Sequence, residues 1–152
     1  MFTMIRPLSA MVMALLALAA AEVYRPLYAP DAVLGTFPLW LAVIAAVVGY
    51  GFLGTRVGRG PFLAVFYALQ AVVITAILAA MVFAVRMVFV FGYRRIYNEP
   101  MDAVAGFFDH ALRFLAVGLD RSFLLLLGGG GALAGIVLYL LFRILERRRL
   151  AR

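Results

Sequence analysis

A chain of 152 residues that is 67% hydrophobic and only 14% charged is far from the roughly half-apolar, quarter-charged mixture of a soluble domain. It reads as an all-α integral membrane protein, one membrane domain over 1–152 with no separate soluble domain. The absence of cysteine excludes a disulfide framework, a thiolate metal site and thiol redox chemistry. The net charge of +7 rests on 14 arginines with no lysine, and its meaning depends on where it falls relative to a membrane.

The first apolar run, 7–21, follows Arg6 and ends in three alanines, a pattern that also fits a secretory signal peptide. It is read as an uncleaved first span over about 6–24, with Glu22 and Arg25 snorkelling to the interface as a pair. The proline-rich segment 25–38 reads as a connection without regular structure. The second span, about 37–54, opens on Pro38 and carries Trp40 near one membrane surface. GTRVGRG at 54–60 is the turn to a third span over about 61–86, and the apolar 87–93 either prolongs that helix or lies along the surface. The run 122–143 is a fourth span, in which 122–142 carry no charge.

Between the third and fourth spans, 100–119 reads as an amphipathic helix. Its polar arc holds Asp102, Asp109, Arg113 and Asp120 with His110 at the edge, and Val104, Phe107, Phe108, Ala111, Leu115 and Leu119 cover the other side. Such a helix either lies in the interface with its phenylalanines in lipid or packs across the outer ends of the spans.

Four spans place Arg6, Arg56, Arg59, Arg143, Arg147, Arg148, Arg149 and Arg152 on one side, opposed only by Glu146. On the other side Arg25, Arg86, Arg94, Arg95, Arg113 and Arg121 are balanced by Glu22, Asp31, Glu99, Asp102, Asp109 and Asp120. The whole excess sits on one face, which the positive-inside rule puts in the cytoplasm with both termini. Its expected partners are anionic lipid headgroups rather than nucleic acid.

Candidate chemistry is sparse. GTRVGRG superficially resembles a phosphate-cradling loop, but it has neither the lysine followed by serine or threonine nor the preceding strand of a nucleotide site. Its residues Gly54, Arg56, Gly58, Arg59 and Gly60 are instead read as a cytoplasmic turn, the glycines permitting the reversal and the arginines able to meet a lipid phosphate. Asp102, Asp109 and His110 lack the three- or four-residue spacing of a helical metal pair, whereas Asp109 and Arg113 have the spacing of an ordinary ion pair. No serine or threonine has a base nearby, and a lone histidine outside the spans leaves haem without a ligand. No catalytic residue, metal site or cofactor is expected.

Packing signals are richer. Gly131 and Gly135, after Gly128, Gly129 and Gly130, form a small-residue pair in the fourth span; Ala42, Ala46 and Gly49 line the second, and Ala76, Ala80 and Ala84 the third. Gly128, Gly131 and Gly135 serve either internal packing or contact with a partner or a second copy.

Three features stand in order along the chain. EVYRPL at 22–27 contains Glu22, Arg25 and Pro26; GTRVGRG follows at 54–60; YNEPMDA at 97–103 contains Tyr97 and Pro100. With the glycine-rich last span and arginine-rich tail, the chain resembles the TrgA family of small bacterial membrane proteins, named for a link to tellurite resistance. The resemblance implies the inner membrane of alphaproteobacteria and no enzymatic mechanism. Without cysteine or cofactor ligands, direct reduction of tellurite is not expected. Two functions remain: a structural or accessory subunit of a membrane complex, linked to resistance indirectly, or a small transporter or resistance factor that affects oxyanion uptake.

Overall fold

The computed structural model describes residues 4–28, 35–94 and 99–150, with side chains through Arg147. Asp31, Arg95, Tyr97 and Arg152, which enter the readings above, lie outside the described residues, and Arg148 and Arg149 are described in backbone alone. Among the described residues every regular element is helical: α1 (Ile5–Tyr28), α2 (Phe37–Val48), a π-helical turn (Gly49–Leu53), a short 3₁₀ turn (Val57–Arg59), α3 (Pro61–Tyr93), α4 (Pro100–Val117) and α5 (Arg121–Leu150). Ile5–Tyr28, Pro61–Tyr93 and Arg121–Arg147 are long and apolar enough to cross a membrane; Phe37–Leu53 is apolar but shorter. The molecule is a helical membrane protein.

The helices close into a ring. α1 packs against α2 and α5, while α3 packs against α5 and α2 and also carries α4. On α1 the buried face runs Ile5, Ser9, Met13, Ala17, Ala20, Ala21 and Tyr24; on α3 it includes Ala64, Ala68, Ala71, Thr75, Ala79 and Phe83. Both sets recur at three- and four-residue intervals, the period of one helical face. Their many alanines let the backbones approach, the source of cohesion where lipid removes any hydrophobic drive between helices.

Several expectations change here. α1 runs on to Tyr28 through Pro26, so 25–28 is helix rather than loop. A proline there forfeits one main-chain bond to the preceding turn, and the stacking of Tyr28 on Tyr24 at 5.9 Å helps hold the last turn. α3 continues to Tyr93 and, at about 1.5 Å per residue, is about 50 Å long, well beyond the roughly 30 Å hydrocarbon core. Of the two readings for 87–93, prolongation of the helix is the one observed. On α2 the buried residues are Phe37, Leu41, Ala45 and Val48, followed by Gly49. Ala42 and Ala46 are only partly covered, because a run of small residues fits two registers and the larger Phe37 and Leu41 select one.

α4 departs most from its sequence reading. It lies along α3 in the antiparallel sense, with Phe114 opposite Phe83 (5.5 Å between ring centroids) and His110 stacked on Phe91 (5.1 Å, 9° between planes). His110 thus faces α3 rather than water. Val104, Phe108, Leu112 and Leu119, three of them from the expected packing face, stay exposed. Asp120 is not on this helix at all; it caps α5, its Oδ2 accepting the Ser122 N–H at 3.0 Å and the Phe123 N–H at 3.4 Å. Asp102 Oδ2 accepts the Glu99 N–H at 3.3 Å at the start of α4. Two of the four polar-arc residues therefore satisfy helix ends. Among the described residues the one salt bridge is Arg25–Glu22, at 3.9 Å and exposed, as the sequence reading paired them; Asp109 and Arg113 do not pair.

Candidate functional site

One end of the bundle gathers Arg6, Arg56, Arg59, Arg143 and Arg147 with Glu146. The other carries Arg25, Arg86, Arg94, Arg113 and Arg121 with Glu22, Glu99, Asp102, Asp109 and Asp120. The asymmetry read from the sequence is therefore built into the fold.

At the basic end the turn 54–60 is held by packing more than by backbone freedom. Only Gly60 has a left-handed conformation (φ +138°), which an L side chain resists. Gly54 is helical, and a Cβ there would lie 2.7 Å from Ser9 Oγ and 2.9 Å from Arg6 Cα. Gly58 lies under the Phe142 ring, 2.6 Å from where its Cβ would be. Two of the three glycines are thus spacers against α1 and α5, not reversal points. The Arg56 guanidinium donates to the Phe52 carbonyl at 3.2 Å and lies 4.2 Å above the Phe52 ring, so the turn itself engages it. Arg59 is exposed. Arg6, placed on this face by the sequence but not among the residues read for the turn, joins this cluster with its guanidinium 5.9 Å from the Tyr50 ring centroid.

Beside the turn, the Ser9 hydroxyl, fully buried, lies 2.7 Å from the Arg6 carbonyl and 2.8 Å from the Gly49 carbonyl. It ties α1 to the first residue of the π turn. The same Gly49 carbonyl also accepts the Gly54 N–H at 2.8 Å, the i→i+5 bond of a π turn. Nothing in the residue pattern announced the π turn.

The interior of the opposite half holds a cavity of ≈ 480 Å³, within the about 300–1,000 Å³ range of small-molecule sites. All four ring helices and α4 line it; Met13, Ala45, Leu69 and Val72 stand at its deep end, and Tyr24, Phe37, Phe114 and Phe123 cap it. The capping rings form one cluster around Tyr24, with centroids 4.8 Å away for Phe114, 5.4 Å for Phe123 and 5.8 Å for Phe37. The lining is almost entirely carbon. Its hydroxyls are already bonded: Thr75 Oγ1 donates to the Ala71 carbonyl at 2.8 Å, and Tyr24 Oη to the Phe114 carbonyl at 2.9 Å. Val73 and Ile77 of α3 with Leu119 and Leu124 beside them all border the cavity yet are exposed, so it has a rim on the outside of the bundle.

The glycines of α5 divide between these roles. A Cβ on Gly135 would press to 2.7 Å from Val65 Cα and 2.9 Å from the Ala64 carbonyl, and one on Gly131 would meet Val72 and Leu69 at 3.1 and 3.2 Å. Both serve internal packing, as does Gly130 against Leu16. Gly128 and Gly129 meet nothing within 4 Å; both are exposed, and Gly128 borders the cavity. Of the motif residues, Glu22, Arg25 and Pro26 lie exposed on the last turns of α1 and Pro100 starts α4. Among the described residues no three of His, Cys, Asp and Glu converge as a metal site would require.

No protein-family model, curated protein or solved structure matches this chain, so a functional reading rests on the residues and the geometry.

Proposed function

We propose that this chain is a non-enzymatic accessory or scaffolding protein of the bacterial inner membrane. It crosses the bilayer four times, with both termini in the cytoplasm, and docks to a second copy or to a larger membrane complex. The TrgA resemblance in EVYRPL, GTRVGRG and YNEPMDA belongs to the same proposal and makes its link to tellurite resistance an indirect one. The apolar stretch Phe37–Leu53 has 17 residues, about 26 Å of helix, near enough to the roughly 30 Å core for a fourth crossing with the bilayer thinned at its ends. The arginine asymmetry favours the basic end as the cytoplasmic one.

The observation that carries the accessory reading is the state of the buried polar groups. Among the described residues the buried polar residues are Ser9 and Thr75, and each hydroxyl is bonded to a main-chain carbonyl. A path for an oxyanion needs cationic or free donor groups at membrane depth; among the described residues the one buried side-chain donor without a partner is Arg6 Nε, in the first turn of α1 at the basic end, and none lies deeper. The outer surface, by contrast, presents the Gly128–Gly129 notch and the apolar stripe of α4 to lipid or protein. Tellurite uptake by proteoliposomes containing the purified protein is the test: flux equal to that of empty vesicles supports this reading, and saturable uptake overturns it in favour of a transporter.

A further inference from the structure

The ≈ 480 Å³ cavity is far larger than the water-sized voids of a close-packed interior. Its content follows from its chemistry. Water needs two to four polar partners, and the Thr75 and Tyr24 hydroxyls are already bonded to carbonyls. A ligand with a polar ring or head inside the cavity would likewise find no free donor on these two residues. The space opens at its rim, but α3 and α5 pack directly against each other, so a transmembrane helix, about 10 Å across with its side chains, could lie against that rim and could not fill the space behind it without separating them. A hydrocarbon chain meets each condition. Bilayer lipid supplies one at the rim formed by Val73, Ile77, Leu119 and Leu124, and exposed Arg121, between the last two in sequence, puts a cation there for a lipid phosphate.

We propose that the cavity is a binding site for one acyl chain of a phospholipid from the leaflet on the α4 side, its headgroup remaining outside beside Arg121. The chain supplies the packing that the protein's own side chains leave incomplete between α3 and α5. The proposal rests on membrane embedding, not on the accessory role, and stands or falls separately from it.

The test uses the full-length protein in phosphatidylethanolamine–phosphatidylglycerol vesicles doped with a phospholipid bearing a diazirine near its acyl terminus. After irradiation, adducts are mapped by peptide mass analysis. Labels are expected on the lining residues Leu69, Val72 and Leu127 as well as on the outward-facing Leu125 and Leu133. Ala76→Phe, which projects a ring into the cavity, and Gly128→Leu at its rim should each abolish the lining labels and leave the outward ones intact. The outward labels report embedding and folding within the same sample. Lining residues unlabelled in the wild type, or labelled equally in both variants, would overturn the proposal. So would an isoprenoid quinone, in place of phospholipid, retained by wild type through gentle detergent and lost in Ala76→Phe.

Discussion

Tyr24 on α1 donates its hydroxyl proton to the main-chain carbonyl of Phe114 on α4, at 2.9 Å and 90 residues away in sequence. This one bond joins the membrane bundle to the amphipathic helix, at the centre of the aromatic cluster that caps the cavity. Tyr24 is 3% exposed, so its hydroxyl has no water to fall back on. Tyr24→Phe keeps the ring and removes the bond, and should destabilise the protein by about 0.5–1.5 kcal/mol. Its particular signature is faster amide hydrogen exchange in α4, read by mass spectrometry, with α3 and α5 little changed. Loss of protection spread evenly over all helices would mean that the bond does not specifically dock α4.

Glycine substitutions should split by position rather than by helix. Gly54→Ala puts a methyl 2.7 Å from Ser9 Oγ and 2.9 Å from Arg6 Cα; neither backbone nor short side chain can move aside freely, and a cost of about 1–3 kcal/mol is expected for such overpacking. Gly129→Ala meets nothing within 4 Å and removes a helix-weakening residue, so it should be neutral or stabilising by up to about 1 kcal/mol. Thermal unfolding in detergent, followed by circular dichroism, measures both. Equal midpoints for the two variants would contradict the packing described.

Ser9→Ala tests the link between α1 and the π turn. It deletes the hydroxyl between the Arg6 and Gly49 carbonyls while leaving the volume nearly unchanged. Interhelical hydrogen bonds in membranes average about 0.6 kcal/mol, so a small loss of stability is expected, with exchange accelerating locally over 49–54. A change confined to α5 would show that the serine has another role.

Sidedness can be measured directly because the chain has no cysteine. Arg59→Cys in the basic turn and Asp109→Cys on α4, both at exposed positions, should react with a membrane-impermeant thiol reagent from opposite faces. In intact spheroplasts Asp109→Cys is expected to label and Arg59→Cys to be protected until the membrane is permeabilised. Labelling of both from outside would leave an odd number of crossings between residues 59 and 109 untenable.

Much of this architecture was legible in the sequence, for identifiable reasons. Long apolar runs and terminal arginines report membrane helices through hydropathy and charge, which do not depend on tertiary contacts; the helices over Pro61–Tyr93 and Arg121–Leu150 contain the runs read at 61–86 and 122–143. Which way a helix turns does depend on them. On α4 the widest apolar stripe, through Val104 and Phe108, faces outward, because lipid accepts it as readily as a core does and the bonded fit of Phe114 under Tyr24 decides the rotation. Gly58 reads like a turn glycine but is a spacer beneath Phe142, a distinction visible only once α5 is in place. The cavity was not legible at all: small residues on α3, including Ala76 and Ala79, and Leu127 and Gly128 on the neighbouring α5 line one space, and no single segment signals that gap.

The accessory role is tested most directly by extracting the tagged protein from its native membrane in gentle detergent and weighing the intact assembly by native mass spectrometry. A stoichiometric complex with a second copy or with another membrane protein is the predicted result. A lone monomer, with stoichiometric partners absent across several mild detergents, would contradict it.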